Sequence, residues 1–314
     1  MEEKKKRANP LTLIVLIVAL SILAYSGYQL FTILDNYRRT DQEYNHLNKD
    51  YTKKKGTTTA LTEDPDVWPR FEDAEVPLEI DWASLKAINP DVVGWIYVEA
   101  EEGISYPICW RKGDDDYYLH RSYEGNYLYA GAIFLEGLNM PDFADPISIV
   151  YGHNMKNGSM FASLKNLKEQ ETYQKNPYFW ILTPNGNYRY HIYSVFQTSP
   201  YSEVYQLFAK RGSKFLAWEQ AMQNASEVTN IVPLFEDDST VILSTCESDH
   251  EHRNVVIGRC VSSVQPTRTN TDYVSVGTKG NTETDLLESE AAKAVQNENE
   301  KTTTDVFGEN DLGF

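Results

Sequence analysis

Two side chains of this protein have the types that nucleophilic acyl chemistry uses, and each follows an apolar run. Cys246 comes after Thr240-Val241-Ile242-Leu243-Ser244-Thr245, a β-branched stretch that reads as a strand and places its thiol at a strand end, within reach of a substrate. Arg253 leads into Asn254-Val255-Val256-Ile257, and two antiparallel strands joined across Glu247–His252 would bring Cys246 and Arg253 to one rim. His153 lies far upstream in Tyr151-Gly152-His153-Asn154, directly after another strand run. A thiol nucleophile and its proton partner need closeness in space, not in sequence.

Each residue type also has a plainer use, cysteine as a small buried hydrophobe and histidine as a satisfied surface or core group. Cys109 and Cys260 sit inside apolar strand patterns and read that way. Cys246, His250 and His252 form Cys-x-x-x-His-x-His, but spacing supplies no further ligand, so no metal is expected. Asp114-Asp115-Asp116 lacks the alternation and glycine of a calcium loop and reads as a solvated acidic turn. His46, His120 and His191 have no partner identifiable from sequence.

The elements that must position these residues fall between 80 and 265. Strand-like runs recur at Gly94–Val98, Ile104–Cys109, Ala132–Leu135, Ile147–Tyr151, Tyr178–Leu182, Tyr188–Phe196, Thr240–Ser244 and Asn254–Val261. Short runs rich in Val, Ile, Tyr and Phe, bounded by Gly, Pro, Asn or Asp, point to an antiparallel barrel or a sandwich. Thr183-Pro184-Asn185-Gly186-Asn187 is a hairpin turn, because Asn-Gly tolerates positive φ. Trp82, Leu85 and Ile88 predict a short helix ending at Asn89-Pro90, and Leu207–Ala225 predicts a longer amphipathic one.

Outside this region the chain changes character. Leu11–Leu34 carries no charge and at ~1.5 Å per residue covers the ~30 Å hydrocarbon layer. Lys4, Lys5, Lys6 and Arg7 precede it, which places residues 1–10 in the cytoplasm and everything after Asp35 outside. A signal peptide cut near Ala24-Tyr25-Ser26-Gly27 is the competing reading, although the apolar run continues past that point. Residues 35–79 read as a partly helical extracytoplasmic stalk, and residues 266–314 as an acidic, disordered tail. The net charge of −17 over 314 residues leaves no surplus of Lys and Arg to neutralise phosphates, so nucleic acid is not an expected partner. Three cysteines are too few for a disulfide scaffold.

In order along the chain, several motifs resemble the class B sortases, membrane-anchored cysteine transpeptidases of Gram-positive bacteria. They are Ile80-Asp81-Trp82-x-x-Leu85-x-x-Ile88-Asn89-Pro90-Asp91-Val92-Val93-Gly94-Trp95-Ile96, then Tyr106-Pro107-Ile108, Asp116-Tyr117-Tyr118-Leu119 and Gly131-Ala132-Ile133-Phe134-Leu135. Tyr151-Gly152-His153-Asn154-Met155 with Met160-Phe161-Ala162-Ser163-Leu164, and Leu243-Ser244-Thr245-Cys246 with Arg253, complete the set. Glu136 stands where Asp is common, and Cys109-Trp110 replaces the usual aliphatic-Gln kind of pair; both departures are expected to lie away from the chemistry.

The resemblance implies a mainly β fold, an eight-stranded sortase barrel with N-terminal helices and a long helix between the sixth and seventh strands. It implies Cys246, His153 and Arg253 as catalytic residues and Ser244 and Glu247 as substrate contacts, with the loop Gln197–Tyr205 in the groove wall. The implied reaction cleaves a sorting signal at a Thr carbonyl in secreted proteins and transfers the acyl group to a peptidoglycan cross-bridge amine, with no cofactor and no metal. The implied location is the cell membrane, spanned once, with the catalytic domain outside. A cysteine protease hydrolysing the same thioacyl intermediate and an inert anchored binding module are the alternatives.

Overall fold

A computed structural model describes residues 10–54, 74–101, 103–246 and 251–264, with the side chain of Cys246 excepted. The N-terminal tail, the acidic tail and Glu247 therefore lie outside the described residues. Helix α1 (Pro10–Tyr51) begins at the first described residue. Its most apolar window has a mean hydropathy of 2.2, long and apolar enough to cross a membrane. The helix does not stop where the apolar run stops. Thr40, Tyr44 and Leu47, spaced at i, i+4 and i+7, are buried against the folded region. The Tyr44 hydroxyl donates to the Gly131 carbonyl at 2.6 Å, and its ring meets Tyr106 edge to face at 5.1 Å. Asn48 and Trp95 both hydrogen bond to Ser105. Residues 35–51, expected as the start of a stalk, are thus one helix with the apolar run and dock on the barrel; a three-residue stripe among charged residues hid this in the sequence.

Strand β1 (Thr52–Lys54) pairs antiparallel with β2 (Leu78–Ile80). Helix α2 (Trp82–Ile88) begins at Asp81, whose carboxylate accepts from the Ser84 amide at 3.0 Å, and ends at Asn89, before Pro90. The remaining strands are β3 (Val92–Val98), β4 (Ser105–Trp110), β5 (Ile133–Leu135), β6 (Ile147–Gly152), β7 (Tyr178–Leu182), β8 (Asn187–Thr198), β9 (Thr240–Cys246) and β10 (Arg253–Val264). All eight runs expected from sequence become strands of a closed barrel, ordered β10-β8-β7-β3-β4-β5-β6-β9. The barrel is mixed rather than antiparallel throughout: β4 pairs with β5, and β6 with β9, in parallel. Parallel neighbours need long connections. These are residues 111–132 and 153–239, and composition within a strand says nothing about which distant strand it meets.

The expected hairpin joins β7 to β8, with the Thr183 hydroxyl accepting from the Asn185 and Gly186 amides. Trp95, Ile96, Phe179, Ile192, Leu243 and Val256 are among the fully buried core residues. After the short helix α3 (Gln170–Lys175), helix α4 (Ser213–Asn224) crosses between the sixth and seventh barrel strands, as the resemblance implied. It packs Phe215, Trp218 and Met222 on a second cluster with Ile149, Ile242 and Ile257. It starts later than Leu207 because Gly212, at φ 135, is not helical; Leu207 and Phe208 reach the same cluster from a loop.

Leu47 is 1% exposed at the interface between α1 and the barrel. Leu47→Ala in the full chain, held in detergent, is expected to lower the unfolding free energy by about 2–4 kcal/mol in urea titration. A change within about 0.5 kcal/mol, the size of a surface substitution, would mean that this face of α1 is not docked.

Candidate active site

The parallel pairing of β6 with β9 runs in register from Ile147↔Thr240 to Gly152↔Thr245. The next residue on one chain is His153 and on the other Cys246, so the register carries both to the same end of the barrel. On the other side of β9, the antiparallel pairing with β10 sets Arg253 opposite Cys246. His153, far upstream in sequence, is therefore brought to the same rim as Cys246 and Arg253. Gly152 is required at the approach: a Cβ there would lie 2.5 Å from Ile133 Cδ1 and 2.7 Å from Phe161 Cγ.

A cavity of about 220 Å³ opens at this rim, with His153, Arg253 and Ser244 in its lining. His153 is half-buried, and its Nε2 lies 2.8 Å from the Leu119 carbonyl oxygen. A carbonyl only accepts, so Nε2 carries the proton and Nδ1 holds the lone pair of the neutral ring. Ser244, buried on β9 two residues before Cys246, is 2.8 Å from the Tyr205 hydroxyl. Tyr205, at the end of the expected groove loop, stacks on Tyr151 at 6.5 Å, and the Tyr151 hydroxyl donates to Glu136 Oε2 at 2.9 Å. Leu119 and Phe134 supply apolar lining.

Glu136 does not lie away from the chemistry as expected; it lines this cavity. Burial first, and then the hydrogen bond and charge of Asp115, push its carboxyl up to about 7. Asp115 accepts from the Gly137 amide at 2.6 Å, so the acidic turn read from sequence as solvated has its middle residue turned inward, with Asp114 and Asp116 exposed. Composition could not separate the three, because which aspartate points inward depends on the turn. His120, which had no identifiable partner in sequence, stacks on His153 at 5.5 Å between ring centres. Its adjacency to Leu119 was the only available signal, and only once the Leu119 carbonyl was known to hold His153.

Cys109 is fully buried and burial raises its thiol pKa, while Cys260, also desolvated, is pushed up to about 11. Both therefore stay protonated at neutral pH, consistent with structural roles. His252 is exposed, and His250 lies outside the described residues, as does Glu247.

The closed, mixed eight-stranded barrel thus carries Cys246, His153 and Arg253 at one rim, at the ends of β9, β6 and β10. Residues 101–261 match the Sortase domain family. Sortase B of Listeria monocytogenes is 30% identical over 265 residues, covering 83% of this chain and all of that protein. Sortase B of Staphylococcus aureus is 24% identical over 266 residues, 82% of this chain and 98% of that one. The crystal structure of sortase B from B. anthracis in complex with AAEK1 superposes with a TM-score of 0.58 at 27% identity, over 74% of this chain and 99% of the other. The chain belongs to the sortase family, in class B, and is a cysteine transpeptidase of cell-wall sorting.

The raised Glu136 pKa has a measurable consequence. Its folded value of about 7 lies above an unfolded value near ~4.3, so between those pH values the folded state holds a proton the unfolded state has lost. Stability is expected to fall as pH rises from about 4.5 to 7, and Glu136→Gln to flatten part of that fall in urea midpoints taken across the range. Glu219, raised to about 8 by burial, keeps part of the slope in the variant. An unchanged slope in Glu136→Gln would show that the carboxyl is ionised in the folded protein.

Proposed function

We propose that Cys246 is the nucleophile, His153 the general acid and base, and Arg253 the fixed cation of a two-step acyl transfer. The observation that carries this reading is the shared strand register of Cys246, Arg253 and the residue before His153. In the first step the Cys246 thiolate attacks the carbonyl of a Thr in a sorting signal near the C-terminus of a secreted protein. As the tetrahedral intermediate collapses, the C–N bond breaks and the imidazolium of His153 gives its proton to the departing amine. In the second step an amine of a peptidoglycan cross-bridge attacks the thioester, His153 takes a proton from it, and the thiolate leaves.

The Nε2 proton is donated to the Leu119 carbonyl, so in this reading Nδ1 is the nitrogen that gives and takes the proton. A guanidinium is a poor base, so Arg253 serves the developing oxyanion or the substrate backbone and not proton transfer. Ser244 and Glu247 are proposed to contact the signal peptide, Ser244 from its place in the cavity lining. The apolar part of α1 is proposed as a single membrane span with residues 1–10 in the cytoplasm and the barrel outside, where secreted substrates and peptidoglycan are found.

The test uses the full chain in detergent, sorting-signal peptides with a Thr at the cleavage position, and an amine such as triglycine or a diaminopimelate-containing peptide. Products are identified by mass. Cleavage after Thr with amine-linked product, abolished in Cys246→Ala and reduced about 100- to 10,000-fold in His153→Ala, is expected. Free acid as the sole product with amine in excess would favour a protease. Absence of any Cys246-dependent adduct would contradict the assignment.

A further inference from the structure

His153 is held by more than one constraint. Its edge is fixed by the Leu119 carbonyl at 2.8 Å. That contact fixes one edge of the imidazole; the tilt of its plane depends on what lies against its face. The face of the ring is covered by the next residue along the chain: His120 stacks on His153 at 5.5 Å and 27° between planes. The exposed Tyr129 in turn lies on His120, at 6.0 Å and 20°. The three rings form a column that ends at the residue proposed to move the proton.

His120 is itself fixed. Its Nδ1 lies 3.1 Å from the Tyr129 carbonyl, and its own carbonyl accepts from the Leu128 amide at 3.1 Å. The loop closes at Gly131, where φ is +61 and a Cβ would stand 2.4 Å from the Leu119 carbonyl oxygen. The Gly131 carbonyl receives the Tyr44 hydroxyl of α1. One segment, 118–132, thus supplies both the edge and the face contact to His153, and is braced from behind by the N-terminal helix.

From this geometry we infer that His120 is a positioning residue for the acid–base step: its flat ring, by stacking on His153, keeps Nδ1 aligned with the reacting amine. The inference rests on His153 being the acid and base proposed above. His120 does not touch substrate in this role, and what matters is a planar face held by the loop. Misalignment of a catalytic group costs on the order of 10- to 100-fold in rate while leaving ground-state binding in place. Because one ring serves both halves of the reaction, release of the C-terminal peptide and transfer to the amine should slow together.

The experiment compares His120→Ala, His120→Phe and His120→Asn in the full chain in detergent, on the sorting-signal peptide and amine that the wild type uses. His120→Ala is expected to lower kcat about 10- to 100-fold with KM unchanged within twofold, in acylation and transfer alike. His120→Phe, which restores a flat ring without a hydrogen bond, is expected to recover activity to within about threefold. His120→Asn, which offers a hydrogen-bonding group without a ring, is not. Wild-type kinetics in His120→Ala, a change in KM alone, or rescue by Asn and not by Phe would overturn the inference. If the Ala variant fails to fold, the Phe–Asn comparison decides it. A wild type with no Cys246-dependent product would instead bring down the assignment of the reaction itself, and this inference with it.

Discussion

The parallel pairing of β6 with β9 is the contact on which the rest of the structure depends. It joins strands separated by residues 153–239, closes the barrel, and puts two strand ends side by side at one rim. A slip of one residue would turn every side chain of β9 to the other face of the sheet. Ile242 would then leave the cluster under α4, and Leu243 would leave the barrel core. The buried residues on both faces of β9 therefore specify the register, and the register sets the neighbours of Cys246.

The groups around the rim are organised so that little is left to chance. Segment 118–132 holds His153 by edge and face, and α1 packs behind it through Tyr44 and Tyr106. On the other side, Ser244, Tyr205, Tyr151 and Glu136 form a continuous wall of hydrogen bonds and stacked rings. With its pKa near 7, Glu136 keeps part of that wall uncharged near neutrality.

Much of this was legible in the sequence because it is local. Each of the eight barrel strands announces itself by β-branched and aromatic residues, the Asn185-Gly186 turn by its tolerance of positive φ, and α2 by the spacing of Trp82, Leu85 and Ile88 and by Pro90 after it. Cys246, His153 and Arg253 stand out because each borders a strand. What was not legible is relational. Periodicity cannot state that β6 lies parallel to β9, that Tyr44 of an apparent stalk reaches Gly131, or that Asp115 and not Asp114 turns inward. His120 and Glu136 escaped for the same reason, since their chemistry comes from rings and carboxyls brought alongside by the fold.

The claim that the β6–β9 register sets His153 beside Cys246 is tested most directly by replacing the histidine with a second thiol. His153→Cys in the full chain, mildly oxidised and digested under non-reducing conditions, should yield a peptide linking residue 153 to Cys246, and no such peptide in a Cys246→Ala background. Adjacent strands bring Cα atoms within the ~4.4–6.8 Å that a disulfide requires. Two free thiols at 153 and 246 after oxidation, with the barrel intact by circular dichroism, would contradict the register and the site built on it.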